Sequence, residues 1–148
     1  MKVRSKGGFI WALVLAVGIV FPLFAQQNGG TETVEGVWLC EAATIDGKPL
    51  PEATAKQLRL TMTKDRYKTE RDGELLFDSV YTVDREMNPA HIDIVGTDGA
   101  LKGKKAQGIY EIGEGSLKIC YTMPGGVRPT AFVSKPGSGA FYLVLKRH

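Results

Sequence analysis

The chain has 148 residues, 19 of them basic and 16 acidic, for a formal net charge of +3. That excess is three residues, Lys2, Arg4 and Lys6, all within the first 25 positions, where no acid occurs; the rest is balanced at 16 against 16. A balanced body gives no electrostatic case for nucleic acid or an anionic membrane surface as its partner.

The basic start runs into an almost unbroken apolar stretch, Phe9 to Phe24, ending at Ala25. A charged head, a short apolar middle and a small residue at the end make the pattern of a secretory signal peptide. The stretch is short of the roughly 20 residues that a membrane-spanning helix needs. Export to the periplasm or the extracellular space is expected, with cleavage after Ala25 and no stable membrane insertion afterwards. Retention as an uncleaved anchor is the alternative. No Cys follows Ala25 to carry a lipid. Residues 26–33 read as a flexible lead without periodicity. Residues 34–148 have the size of one domain with one core and contain no internal repeat.

From Val34 onward the apolar period is two, the mark of half-buried strands. Val34 to Ala42, with Trp38, is the first. Asp46-Gly47, Pro49 and Pro51 break the chain, and Glu52 to Gln57 has room for one helical turn. Leu58, Leu60 and Met62 alternate with polar residues, Lys64-Asp65 turns, and Arg66 to Arg71 returns with Tyr67 and Thr69 on one face. Asp72-Gly73 predicts a tight hairpin, since both turn positions tolerate positive φ. Leu75 to Val83 follows, with Phe77, Ser79, Tyr81 and Val83 facing one way. Ile92 and Ile94, then Gly108, Tyr110 and Ile112, then Leu117, Ile119 and Tyr121, and finally Phe141, Leu143 and Leu145 complete the alternation. Gly113-Glu114-Gly115 is the turn of the penultimate hairpin.

About eight strands with short turns and no long helix predict an all-β protein. Closing the sheet into an antiparallel up-and-down barrel, lipocalin-like in form, buries every apolar face and removes the edges. A β-sandwich is the alternative, though it calls for longer crossovers. The inward residues fit a filled core as well as a ligand cavity. Tyr67, Phe77, Tyr81, Tyr110 and Tyr121 are the candidate lining, because buried tyrosine hydroxyls need partners that a cavity can supply.

Catalytic chemistry has little support. His91 stands without a Ser or Cys partner at a recognisable spacing, and His148 is the last residue. There is no Cys-x-x-Cys or His-x-His for a metal, and "GKGKK"-like lysines at 102, 104 and 105 read as a solvated loop. Asp93 and Asp98 are better turn caps than calcium ligands. No catalytic residue, metal or cofactor is expected. Cys40 shares parity with Trp38 and should face in; Cys120 has the parity opposite to Leu117 and Ile119 and should face out. Two free thiols are therefore expected, against the habit of exported cysteines to pair.

"GVWLCEAATIDGKPLPE", "HIDIVGTDGALKGKKAQGIYEIGEGSLKICY" and "RPTAFVSKPGSGAFYLVLKR" resemble an uncharacterised domain family of secreted planctomycete proteins. That resemblance covers nearly all of 34–147 and implies a lipocalin-like barrel without an established activity. More widely, Gly36-Val37-Trp38 resembles the first-strand Gly-x-Trp of lipocalins, Thr97-Asp98 resembles their Thr-Asp pair, and Arg128 resembles the late Arg that closes over the Trp. Arg128, held extended before Pro129, is accordingly expected to stack on Trp38 and plug one end of the barrel. The other role open to it is gripping an anionic ligand or partner.

Two functions are left by this reading. One is an exported, non-enzymatic protein that binds a small apolar or amphipathic ligand. The other is a solid-cored interaction module meeting a protein partner at the cell surface or in the periplasm.

Overall fold

A computed structural model describes residues 32–148. The signal peptide expected over 1–25, and all but the last two residues of the lead, lie outside that range. The described chain is all-β, and the barrel expectation is borne out. Its strands are β1 (Gly36–Ile45), β2 (Lys48–Pro49), β3 (Leu58–Met62), β4 (Arg66–Arg71), β5 (Glu74–Asp84), β6 (Ala90–Gly96), β7 (Lys105–Gly113), β8 (Ser116–Thr122) and β9 (Ala140–Arg147). A single helical turn, α1 (Glu52–Ala55), stands between β2 and β3.

β1 pairs antiparallel with β3, each strand from β3 to β9 pairs antiparallel with the next, and β9 returns to β1. The closed wall is thus β1 with β3 to β9, while two-residue β2 only extends the end of β1 through Thr44↔Pro49 and Ile45↔Lys48. Asp46-Gly47 and Asp72-Gly73 take positive φ at both positions, as a two-residue hairpin turn with the right twist demands.

Two bulges correct the alternation. Cys40 pairs with Leu145 and Ala42 with Val144, so Glu41 is an extra residue in β1. Because of it the inward positions run Trp38, Cys40, Ala43 instead of strictly every second residue. In β5, Leu75 faces Glu70 and Phe77 faces Thr69, which leaves Leu76 as the extra residue.

The inward residues of all eight wall strands form one core with Trp38, Leu60, Met62, Ile92, Leu117, Ile119 and Leu145 at its centre. Ala55 of α1 is fully buried against it, so the helical turn covers part of one barrel end. A second, smaller cluster lies outside the wall. There the long connection from β8 to β9 folds back, and Phe132 packs with Tyr142 over Ile109, Cys120 and Ala140. Cys120 does face outward from the sheet, as its parity requires, yet this strap buries it completely. Both cysteines are free and buried, Cys40 inside the wall and Cys120 outside it. Among the described residues no helix is long and apolar enough to cross a membrane.

Candidate functional site: a small pocket at the open end

The two barrel ends differ. At the end where β1 begins, Trp38 is fully buried and its indole N–H donates to the Val34 carbonyl at 2.8 Å. Arg147, its cross-strand partner on β9, lays its guanidinium 4.2 Å from the ring centroid. The same guanidinium donates to the carbonyls of Glu35 at 3.0 Å and Thr33 at 2.9 Å. Gly36, at φ +138°, makes room for it: a β-carbon there would lie 2.6 Å from Arg147 Nη1. This end is closed.

The plug expected of Arg128 is therefore made by Arg147. Arg128 sits on the outer wall instead, on the strap. Its Nη1 donates to the carbonyls of Gly108 at 2.6 Å and Ile92 at 3.3 Å, and its Nη2 pairs with Asp93 at 2.7 Å. Asp93 also meets Lys105 at 3.4 Å. Partial burial pushes the Asp93 carboxyl up, but the hydrogen bonds and charges of Arg128 and Lys105 outweigh it and hold the pKa below its ordinary value. His91 flanks the same shallow outer groove.

The other end is open. Tyr67 and Thr69 of β4, Phe77 and Ser79 of β5, Ile94 of β6, Ala106 of β7, Tyr121 of β8 and Phe141 of β9 enclose a pocket of about 90 Å³. Leu101 and Lys104 from the β6–β7 turn, with Met123 and Pro124, form its mouth. Tyr121 and Phe141 stack nearly parallel, with centroids 5.1 Å apart, and give the pocket one flat aromatic wall. At the rim Phe77 is 47% exposed and Met123 39%. The interior below the pocket is filled.

Tyr67 forms the floor. It is only 3% exposed, and its buried hydroxyl has the Thr69 side chain as its neighbouring polar group. Burial holds its phenol well above the ordinary tyrosine pKa, the neighbouring Tyr121 and Cys40 push the same way, and a hydrogen bond with the Thr69 side chain offsets only part of it. Tyr121 is raised by burial as well. Both phenols are neutral hydrogen-bonding groups at any physiological pH.

Of the five residues expected to line a cavity, Tyr67, Phe77 and Tyr121 meet in this pocket. Tyr81 and Tyr110 do not. Tyr81 lies nearer the closed end, where its hydroxyl donates to the Thr63 carbonyl at 2.6 Å; burial first, and nearby carboxylates after it, push its pKa up to about 12. Tyr110 pairs with Ala90 and Ile119 within the filled part. Phe141, Thr69 and Ser79 complete the pocket. All three have inward parity, and a strand-by-strand alignment of that parity is the signal that finds them. Among the described residues no group of three His, Cys, Asp or Glu is placed to hold a metal.

No family model, no curated protein and no solved structure matches the chain.

Proposed function

We propose that the protein is an exported, non-catalytic binder of one small amphipathic molecule, taken up at the barrel end opposite Trp38 and Arg147. The observation that carries this reading is the pocket itself: an apolar space of about 90 Å³ at the open barrel end, with Tyr67 at its floor and the Tyr121–Phe141 stack as one wall. A concave, mostly apolar pocket with a few polar groups in its lining, here Thr69, Ser79 and Lys104, is the usual form of a small-molecule site. At about 90 Å³ the pocket is smaller than the ~150 Å³ apolar cavity that admits benzene. It suits the slim end of a chain, with the remainder leaning on Phe77 and Met123 at the rim. A bulky fused ring system does not fit it.

Trp38 does not line the pocket, so its fluorescence is a poor reporter. Methyl NMR of the purified protein, titrated with short-chain alcohols, ketones and carboxylic acids, reads the site directly. Saturable shifts at Ile94 and Ala106, with the Leu145 methyls unmoved, are expected. No shift with any of these compounds would overturn the reading. It would favour the solid-cored interaction module, whose observation is the exposed apolar run Leu75, Leu76 and Phe77 on β5.

A further inference from the structure

We infer that the occupant is an n-alkyl carboxylate held head-out: its chain end fills the pocket, and its anionic head stays at the mouth, paired with the Lys104 ammonium. This deepens the proposed function and rests on the same pocket.

Charge selects the head. Among the described residues Lys104 is the one charged member of the pocket lining, and no acid shares that lining with it. Its ammonium belongs to none of the ion pairs formed by the described residues. Its neighbour Lys105 is taken by Asp93 on the outer wall at 3.4 Å. Strand parity separates the two lysines. Ala106 is buried and lines the pocket; Lys104, two residues before it, takes the same side, and Lys105 the opposite one. The turn that carries Lys104 is fixed to the sheet. The Gly96 N–H donates to the Lys104 carbonyl at 3.2 Å, the Gly103 N–H to the Gly96 carbonyl at 2.9 Å and the Lys104 N–H to the Leu101 carbonyl at 2.9 Å. Gly96 lets the turn lie this close, since a β-carbon there would stand 2.3 Å from the Leu101 carbonyl oxygen. Lys104 is thus anchored through its backbone at the mouth, with a stem that can lie along apolar surface and a charged head left in water.

Depth selects the orientation. Below the mouth the walls are the Tyr121–Phe141 stack, Phe77 and Ile94. An ionised group placed there would lose its hydration with no countercharge to replace it. The hydrocarbon end therefore goes in and the carboxylate stays out. One ammonium offsets one negative charge, which matches a carboxylate. A cationic head would meet Lys104 as a like charge, and a neutral head gains little from it.

The test uses three probes of matched chain length at pH 7: heptanoate, 2-heptanone and heptylammonium. Dissociation constants come from the Ile94 and Ala106 methyl shifts in the wild type, Lys104→Met and Lys105→Met. Methionine keeps most of the apolar stem and removes the charge. Lys104→Met should weaken heptanoate about threefold, the scale of one solvent-exposed ion pair, leave 2-heptanone unchanged and tighten heptylammonium. The heptanoate loss should shrink in about 0.5 M NaCl, where such a pair is screened. Lys105→Met should leave all three constants near their wild-type values. An unchanged heptanoate constant in Lys104→Met overturns the inference. An equal loss in Lys105→Met also overturns it, since a general attraction would then replace a pair at the mouth. So does a loss shared by all three probes, because the lysine stem and not its charge would carry the effect. If 2-heptanone binds and heptanoate does not, the inference falls and ligand binding stands. If no probe binds, the proposed function falls together with it.

Discussion

Arg147 performs three tasks with one side chain: it covers the indole of Trp38, holds the carbonyls of Thr33 and Glu35, and seats β9 against β1. Lysine can supply the charge but not the planar face or the fork of donors. Arg147→Ala and Arg147→Lys should both lower stability by about 1–2 kcal/mol, the sum of an exposed cation–π contact and two modest hydrogen bonds. Both should shift Trp38 emission to the red as the indole meets water. Arg128→Lys should leave that emission unchanged. Fluorescence spectra and thermal melts of the three variants check this assignment. The sequence carried the clue to the right arginine. Leu143, Leu145 and Arg147 share parity on the last strand, and the last strand closes on the first. Arg128 was the more conspicuous residue because it stands isolated between Pro124-Gly125-Gly126 and Pro129, but isolation in a loop says nothing of which face the loop covers.

At the scale of elements, the strap between β8 and β9 is the part that alternation could not reveal. Strands declare themselves by period two, and β4 ends where its pattern ends; a connection without a period has no such mark. Once folded, the strap is pinned at several points. Arg128 binds Asp93, Ser134 Oγ donates to the Ala140 carbonyl at 2.7 Å and accepts from the Gly47 N–H at 2.9 Å, and Phe132 lies over Cys120. Burial raises the pKa of both thiols, that of Cys40 to about 11, so neither forms much thiolate near neutrality. Native protein at pH 8 should react very slowly with a thiol reagent, and two equivalents should react after denaturation without reductant. Phe132→Ala should make Cys120 reactive and leave Cys40 protected, at a stability cost of about 2 kcal/mol for a partly buried ring; peptide mapping of the labelled protein distinguishes the two sites. The Asp93 pair makes the strap sensitive to acid. Folding lowers the Asp93 pKa from its ordinary 3.8, so the pair stabilises above that value and the stabilisation is lost as pH falls through the folded pKa. Asp93→Asn should cost about 1 kcal/mol at pH 7 and flatten the decline in stability below pH 4, measured by urea unfolding across the range.

For the whole molecule the question is how a closed eight-stranded wall divides its interior between core and cavity. Alternation named the inward set, and all of that set enters the core or packs against it except Phe77 and Phe141. Those two belong to the last inward rung before the open mouth, where Leu101, Lys104, Met123 and Pro124 border the space without filling it. The amount of empty space was not legible from residue types, because it depends on where small residues fall across neighbouring strands: Gly96 opposite Ser79, with Ala106 opposite Ile94 on the next pair. That arrangement points to the experiment that joins fold to function. Ala106→Leu puts side-chain carbon into the pocket without disturbing Trp38, Arg147 or the filled half of the barrel. If the pocket is the binding site, a ligand at 100 times its dissociation constant stabilises the wild type by about 2.7 kcal/mol, a rise in melting temperature of several degrees for a barrel of this size. In Ala106→Leu that rise should vanish, while the variant's own melting temperature stays level or increases by a few degrees, since a filled cavity adds contacts. Thermal melts with and without 2-heptanone measure both. A full ligand-induced rise in Ala106→Leu would place binding elsewhere on the molecule.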